Sequence, residues 1–331
     1  MKSVVRWAAL LALTFGGAIA GETRAAQFSS LYVFGDSLVD SGNAFVATGG
    51  AQAREADGYF AGRFSNGPNF ADYLGATFGL PSTPALLGGN NFGVGGALAQ
   101  FRAGEASPSF LAQIGVFTSV PTRRIASDAL VLVTFGGNDV RATVATGGAV
   151  SFSDADADFR TGLAALYGLG ARNFVITGVP DIGQLPSARP LSVIPGRLEE
   201  LTARSQQLSA LFAADAAVLD LLAGTTVSFF DLFGFQRAVL ANPTGYGLPS
   251  NLNTTTPCQI PGGGEPQLSN CANSLYFDGI HPTTRVHAVI ANAIAAQVAG
   301  IPEPATWVVL IVGFALIGAQ MRRREVGMSL A

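Results

Sequence analysis

The residue types needed for acyl transfer chemistry occur at positions where folding could bring them together. Ser37 lies in the stretch YVFGDSLVDSGN, directly after a short apolar run. The chain has only two histidines, His281 and His287, and Asp278 stands three residues before His281. At that spacing one turn of chain can place both side chains on the same side, so that the carboxylate orients the imidazole and the other ring nitrogen takes the serine proton. These residues predict a serine nucleophile with a histidine base.

The second histidine leaves two other interpretations open. His287 follows His281 at helical spacing, which favours a histidine on the surface of a helix. Asp278, His281 and His287 could also hold a metal ion, but no other histidine and no further ligand cluster in the sequence supports such a site. The sequence therefore favours a site that uses neither a metal ion nor another cofactor.

Acyl transfer also needs hydrogen-bond donors for the developing oxyanion. Asn138 follows an apolar run and offers a side-chain amide. The pair Gly95 and Gly96 exposes backbone N–H groups with no side chain in the way, and the N–H of Ser37 is a further donor. The sequence alone leaves both glycines as candidates.

Short apolar runs alternate with longer amphipathic stretches along most of the chain. Strands are predicted at 31–34, 90–94, 129–135, 173–177 and 226–230. Helices are predicted at 69–78, 108–118, 154–169, 197–222 and 283–298. This alternation predicts one α/β domain over residues 27–300, with a mainly parallel sheet of five strands. The residues that follow parallel strands converge at one edge of the sheet, which places Ser37, the glycine pair and Asn138 together.

The composition restricts the class of partner. Charged residues make up 12% of the chain, about half the usual share. The net charge is −3, so nothing predicts an electrostatic surface for nucleic acid.

The amino-terminal end predicts export. Lys2 and Arg6 precede an apolar run over 7–20, which ends in small residues at Ala18 and Ala20. A basic start, an apolar centre and a small-residue cleavage site are typical of a secretory signal peptide, which we place at residues 1–26. Signal peptidase is therefore an expected partner.

The carboxy-terminal end predicts contact with a membrane. Apolar residues fill 307–319, and arginines follow at 322–324, as at the cytoplasmic end of a span. With Pro302-Glu303-Pro304 before it, the segment 301–331 resembles the PEP-CTERM sorting signal. That resemblance implies removal by an exosortase-type membrane enzyme, and a location in the periplasm, at the cell surface or in the extracellular matrix of a Gram-negative-type bacterium.

Cys258 and Cys271 are the two cysteines of the chain, in a segment rich in proline, glycine and asparagine. In an exported protein, an even pair that closes a short loop predicts a disulfide.

Four segments carry a resemblance to a known family. FGDSLVDSGN, NNFGVGGA, FGGND and DGIHPTT occur in that order and resemble the four sequence blocks of the SGNH hydrolases, or GDSL lipases/esterases. GRFSNGPNFADYL and VPDIGQLP resemble segments of the branch with plant GDSL esterases and bacterial lecithinase/haemolysin-like enzymes. The similarity spans residues 30–298. One departure is Phe277, where that branch often has tryptophan.

The resemblance implies a flavodoxin-like α/β/α sandwich and a metal-independent hydrolase. It implies that Ser37 is the nucleophile, His281 the base and Asp278 the orienting carboxylate. It further implies that Asn138 and either Gly95 or Gly96 complete the oxyanion hole.

The function expected from these features is hydrolysis of carboxylic esters of lipids, acylated glycans or small alcohols through an acyl-enzyme on Ser37. Acyl transfer to another alcohol would use the same site. A non-catalytic surface module that binds glycan or matrix is the competing class, but such a module should have lost one of Ser37, Asn138, Asp278 or His281, and all four are present.

Overall fold

The structure is a computed structural model that describes residues 27–145, 151–259 and 271–299. The predicted signal peptide and the predicted sorting segment with its apolar span lie outside these residues and stay predictions. Within the described ranges, no helix combines the length and the apolar character needed to cross a bilayer.

The centre of the described fold is a parallel sheet of four strands in the order β1-β2-β3-β4. The strands are β1 (Leu31–Gly35), β2 (Leu130–Thr134), β3 (Asn173–Thr177) and β4 (Thr226–Phe230). In the register, Gly35 pairs with Thr134 and Thr177 pairs with Phe230, so the strands end close to one edge. Every residue of β2 is buried, as expected for an inner strand covered on both faces.

The sheet has four regular strands where the sequence predicts five. The predicted strand at 90–94 runs parallel to β1 on its free side and forms a single bridge to β1, between Val33 and Asn91. The N–H of Phe92 donates to the Val33 carbonyl at 2.7 Å, and the N–H of Val94 donates to the Gly35 carbonyl at 3.0 Å. On its other side Asn91 bridges to Pro84: its N–H donates to the Thr83 carbonyl at 3.0 Å, and its carbonyl accepts the N–H of Ala85 at 2.7 Å.

The helices follow the predicted alternation, with three additions. They are α1 (Asn43–Ala47), α2 (Phe70–Phe78), α3 (Phe110–Thr118), α4 (Gly137–Ala145), α5 (Phe152–Gly168), α6 (Arg197–Asp220), α7 (Leu232–Ala241) and α8 (Thr284–Ala299). Short 3-10 helices lie at Glu55–Asp57, Ala85–Leu87, Ile182–Gln184, Pro186–Val193, Pro243–Tyr246 and Cys271–Asn273. The sequence does not predict α1, α4 or α7; α1 and α4 begin directly after the glycines Gly42 and Gly136, where the chain reads as a turn.

Helices cover both faces of the sheet. Alternate side chains of β1 point to opposite sides: Leu31 lies against Gly75 of α2, whereas Tyr32 packs edge-on against Phe117 of α3. On the first face α2 packs against α8, and on the second α3, α5 and α6 pack in succession. Phe159 and Phe212 stack there with ring centroids 3.8 Å apart. The predicted α/β/α class is thereby confirmed.

The turn after β2 determines how α4 approaches the sheet edge. Gly136 has a φ of +103°, a conformation that glycine adopts without strain. A Cβ at this position would lie 2.5 Å from Val179 Cγ2, so the close approach also requires glycine. Because α4 begins directly after it, Asn138 lies in the first turn of a helix and not in an open loop.

Candidate active site

Ser37, His281 and Asp278 form a continuous hydrogen-bonded chain. The distance between Ser37 Oγ and His281 Nε2 is 2.7 Å, and that between His281 Nδ1 and Asp278 Oδ2 is also 2.7 Å. All three side chains are buried. Ser37 lies two residues after β1, while the other two residues lie in the loop before α8, so tertiary folding closes a sequence separation of 244 residues.

The carboxylate of Asp278 is held in an ionised form. Its Oδ1 accepts the N–H groups of Ile280 at 2.8 Å and of His281 at 2.7 Å, and its Oδ2 also accepts the hydroxyl of Tyr59 at 3.0 Å. Burial by itself raises the pKa of Asp278, but the charge of His281 and these backbone hydrogen bonds outweigh it and lower the pKa to about 2. An ionised carboxylate only accepts, so His281 Nδ1 carries the proton and Nε2 is left as the acceptor for the Ser37 hydroxyl.

The turn that carries Ser37 is fixed from several sides. The N–H of Asp36 donates to the Thr134 carbonyl at 3.2 Å, and the N–H of Leu38 donates to Asp36 Oδ1 at 2.9 Å. Gln113 of α3 bonds both backbone groups of Gly35, at 2.9 and 2.8 Å. A side chain on Gly35 would collide with the Thr134 carbonyl oxygen, 2.7 Å from the position of its Cβ. These contacts fix the backbone of the turn that carries Ser37.

The structure distinguishes the two candidate glycines. The N–H of Gly95 donates to Asp40 Oδ2 at 2.9 Å, so it is already used inside the protein. Among the backbone hydrogen bonds of the described residues, none uses the N–H of Gly96 or of Ser37. Gly96 has a φ of +84° and lines the cavity beside Asn138. This arrangement leaves the N–H of Gly96 and not that of Gly95 available to an oxyanion.

The orientation of the Asn138 amide is also fixed. Its Nδ2 donates to the Ala97 carbonyl at 3.0 Å, and its Oδ1 accepts from Arg141 Nη1 at 3.2 Å. Because Arg141 can only donate, Oδ1 faces the arginine and Nδ2 faces the glycine loop. The amide nitrogen carries two hydrogens, so one remains for a ligand.

A cavity of about 620 Å³ opens beside these donors. Gly96, Asn138 and Arg141 lie on one wall, and Ile182, Ser187 and Leu191, from the segment after β3, lie on another. A second, apolar cavity of about 50 Å³ is lined in part by Leu38, Ile280 and Pro282, the residues next to Ser37 and His281 in the chain. The candidate site therefore lies between a wide cavity and a narrow one.

Two further buried carboxyl groups lie behind the site. Burial raises the pKa of Asp36 to about 7, against the opposing effects of the Leu38 N–H and the charge of His281. Burial likewise raises the pKa of Asp139 to about 6, although the N–H groups of Ala99 and Gln100 donate to it. Burial thus raises the pKa of Asp36 and Asp139, whereas the pKa of Asp278, the carboxylate that faces His281, is lowered.

His287 is not the surface residue that its spacing predicts. It is 1% exposed, packs its ring 5.9 Å from that of Phe70, and its Nδ1 has no hydrogen-bond partner among the described residues. Burial, followed by the charge of His281, lowers the pKa of His287 to about 3. The helix turns this position inward because α8 packs against α2 there. In the part of the chain that the structure describes, no three His, Cys, Asp or Glu side chains are grouped to hold a metal ion.

The structure adds three residues to those predicted. Asp40 lies in the same motif as Ser37, so its position in the sequence could have drawn attention to it. Tyr59 lies in a loop far from Asp278 in the chain, with no local signal. Arg141 follows Asn138 by one helical turn, which is informative only if α4 is known.

The two cysteines lie together near the loop that carries Asp278 and His281. The structure pairs Cys258 with Cys271, with Cα atoms 5.1 Å apart. The N–H of Cys258 donates to the Tyr276 carbonyl at 3.1 Å, and the N–H of Gln259 donates to the Phe277 carbonyl at 2.7 Å. The predicted disulfide would thus brace the segment that leads into Asp278.

Comparison with known proteins places the chain in a family. The sequence model of the GDSL-like lipase/acylhydrolase family matches residues 31–294. A GDSL esterase/lipase of Arabidopsis thaliana is 27% identical to this chain, over 87% of the chain and 88% of that protein. The thermolabile hemolysin of Vibrio parahaemolyticus is 24% identical, over 80% of the chain and 63% of the hemolysin.

Among solved structures, an acetylxylan esterase of Geobacillus stearothermophilus is similar with a TM-score of 0.47 and 15% identity, over 82% of this chain and 96% of the esterase. Because the family match covers most of the chain, the protein belongs to the GDSL-like lipase/acylhydrolase family and is a carboxylic ester hydrolase.

Proposed function

We propose that the protein cleaves carboxylic esters through an acyl-enzyme on Ser37. The observation that carries this proposal is the chain of two 2.7 Å contacts from Ser37 Oγ through His281 to Asp278. This is the geometry in which a histidine removes the hydroxyl proton while a buried carboxylate orients its ring.

In the first half-reaction Ser37 Oγ attacks the acyl carbonyl carbon, and its proton passes to His281 Nε2. The carbonyl oxygen becomes an oxyanion that accepts from the N–H of Ser37, the N–H of Gly96 and the amide of Asn138. When this intermediate collapses, the bond to the alcohol oxygen breaks and His281 returns the proton to the leaving alcohol. Asp278 remains ionised and stabilises the imidazolium throughout.

In the second half-reaction water replaces the alcohol. His281 takes a proton from the water as its oxygen attacks the acyl carbon, the same donors hold the second oxyanion, and Ser37 leaves with the proton. An alcohol in place of water would give acyl transfer, and the cavity of about 620 Å³ beside the donors offers room for such an acceptor.

We further propose that the enzyme acts outside the cytoplasm, on the ester of a surface lipid or of an acylated glycan. The signal-peptide features of residues 1–26 and the sorting-signal resemblance of residues 301–331 support this location. Signal peptidase and an exosortase-like enzyme would then process the chain, with transient membrane contact through its carboxy-terminal segment.

The serine mechanism is tested with Ser37→Ala and the matched variant Ser41→Ala. Ser41 belongs to the same motif, but its hydroxyl donates to Asp72 Oδ1 at 3.1 Å and does not face His281. With p-nitrophenyl butyrate as substrate, Ser37→Ala should lose at least about 10⁴-fold in kcat. Ser41→Ala should keep its activity within about tenfold, since its hydroxyl contacts Asp72, Ser82 and Asn91 and none of the reacting atoms. Wild-type turnover by a folded Ser37→Ala protein would exclude the mechanism.

A further inference from the structure

Arg141 is the one charged side chain on the wall of the wide cavity, as far as the described residues show. It lies on α4 one turn after Asn138 and is half-buried. Gly96 and Asn138, the proposed oxyanion donors, line the same cavity. A group bound to Arg141 would therefore lie near the ester that Ser37 attacks.

The guanidinium of Arg141 has little to bind within the protein. Its Nη1 donates to Asn138 Oδ1 at 3.2 Å, and no carboxylate in the described ranges lies within ion-pair distance of it. Other half-buried arginines have more partners: Arg63 pairs with Asp72 at 3.1 Å and Arg197 with Glu200 at 2.8 Å, while Arg172 donates to two backbone carbonyls. Arg141 thus retains most of its five N–H donors for a ligand.

A half-buried cation without a carboxylate partner is costly, so such groups are commonly kept where they bind something. Burial lowers the pKa of Arg141, while the charges of Asp278 and Asp36 raise it, so the guanidinium stays protonated. These two carboxyl groups lie too far away to pair with it. The planar fork of an arginine matches a carboxylate or a phosphate, which it binds through two parallel hydrogen bonds.

We propose that Arg141 binds an anionic group, a carboxylate or a phosphate, that the substrate carries close to its scissile ester. The inference rests on the proposed function and adds the class of substrate. The remaining cavity residues named above are neutral, so Arg141 alone decides the charge preference of this wall.

Arg141 could instead act only through Asn138, whose amide it orients. The two roles differ in which substrates they affect. Loss of orientation slows every ester equally, whereas loss of anion binding slows only anionic esters. Arg141→Gln removes the charge, and the ratio of anionic to neutral ester hydrolysis separates the two roles: lost orientation leaves the ratio unchanged, whereas lost anion binding lowers it.

The test uses the purified full-length chain and sets of esters matched in shape. On the alcohol side, p-acetoxybenzoate and p-acetoxyphenyl phosphate are compared with neutral p-acetoxybenzamide. On the acyl side, mono-p-nitrophenyl adipate is compared with p-nitrophenyl hexanoate. The readout is the ratio of kcat/KM for the anionic ester to that for its neutral counterpart, in wild type, Arg141→Gln, Arg141→Lys and Arg124→Gln.

In at least one set, wild type should favour the anionic ester, and Arg141→Gln should lower the ratio roughly tenfold to a hundredfold, as expected for a charge-assisted hydrogen bond. Arg141→Lys should restore part of the ratio, because it restores the charge without the fork. Arg124 is exposed and donates to the nearby Pro121 and Arg123 carbonyls, so Arg124→Gln should keep the wild-type ratio and controls for net charge. Preference for benzoate or for phosphate identifies the anion.

Equal ratios in wild type for every set would overturn the inference, as would an Arg141→Gln protein slowed equally on anionic and neutral esters. Either result leaves the serine mechanism standing if Ser37→Ala is inactive. Retained hydrolysis by Ser37→Ala would instead overturn the proposed function itself.

Discussion

The buried carboxyl groups around the site differ in protonation because their partners differ. Asp278 accepts two backbone N–H groups and faces His281, and its pKa falls to about 2. Asp36 accepts one such group from Leu38, and burial raises its pKa to about 7. Asp278 is thus kept charged beside His281, while Asp36, next to Ser37, holds its proton to a much higher pH.

Tyr59 gives a prediction at this scale. Its hydroxyl donates to Asp278 Oδ2, the oxygen that also accepts from His281. In Tyr59→Phe that donor is lost while the ring keeps its packing on Phe277, so Asp278 should hold the imidazole less firmly. We expect kcat to fall roughly threefold to tenfold with KM little changed, as for one hydrogen bond to a charged group. Steady-state kinetics with p-nitrophenyl butyrate measures both constants.

Tyr73→Phe is the matched control for this variant. The Tyr73 hydroxyl contacts Thr284 Oγ1 at 2.8 Å, away from Asp278, so its loss should leave kcat near the wild-type value. A Tyr59→Phe enzyme with the kcat of wild type would show that the hydroxyl does not position the carboxylate.

At the scale of loops and helices, the Asp40 side chain connects the turn that carries Ser37 to the glycine loop, which carries Gly95 and Gly96. Its carboxylate accepts the N–H groups of Gly42, Asn43 and Ala44 at the start of α1, and the N–H of Gly95. The last bond holds the glycine loop against the turn of Ser37. The positions of both proposed oxyanion donors, the N–H groups of Ser37 and Gly96, should therefore depend on this buried carboxylate.

Asp40→Asn should loosen this connection. An asparagine amide keeps one acceptor oxygen but directs an NH₂ group at N–H donors, which leaves buried donors unpaired. We expect the free energy of unfolding to fall by about 2 kcal/mol and kcat to decline, because Gly96 loses its fixed position. Urea denaturation and kinetics on the same preparation report the two effects.

The control for Asp40→Asn is Asp57→Asn, which breaks the exposed pair between Asp57 and Arg54. Exposed pairs contribute little to stability, so this change should cost less than about 1 kcal/mol. Equal, small losses in both variants would contradict the structural role of Asp40.

For the molecule as a whole, the buried titratable groups determine how stability depends on pH. The native pKa of Asp36 is about 7, against an ordinary value of 3.8. Because the native state binds this proton more tightly, the contribution of Asp36 to stability is complete below about pH 4 and is lost as the pH rises through 7. His287, with a native pKa of about 3 against 6.5, acts in the other direction: stability is lost as the pH falls from 6.5 towards 3.

We therefore expect Asp36→Asn to change the pH profile of stability. The asparagine side chain does not titrate, so between pH 4 and 7 the free energy of unfolding should fall less steeply than in wild type, by up to about 1.4 kcal/mol per pH unit. Chemical denaturation at several pH values gives the profile. His287→Gln should have the opposite effect and reduce the loss on acidification. Parallel profiles for wild type and Asp36→Asn would show that Asp36 does not titrate as its burial predicts.

The amino-acid sequence by itself determined the fold class and the four polar residues of the candidate site. Hydrophobic periodicity is local, so the alternation of strands and helices is visible in any single segment. The ends of parallel strands meet at one edge, which is sufficient to group Ser37 with Asn138 once the strands are known. The Asp278 and His281 pair is visible because both residues lie within one turn of chain.

Only the tertiary structure decided the contacts between distant segments. Asp40 takes the N–H of Gly95, which leaves that of Gly96 free, and Tyr59 reaches Asp278 across 219 residues. His287 is buried because α8 packs on α2, and residues 90–94 form isolated bridges instead of a regular strand, from Asn91 to Val33 and to Pro84. Periodicity and local spacing do not encode such contacts, because they depend on which surfaces meet when the helices pack on the sheet.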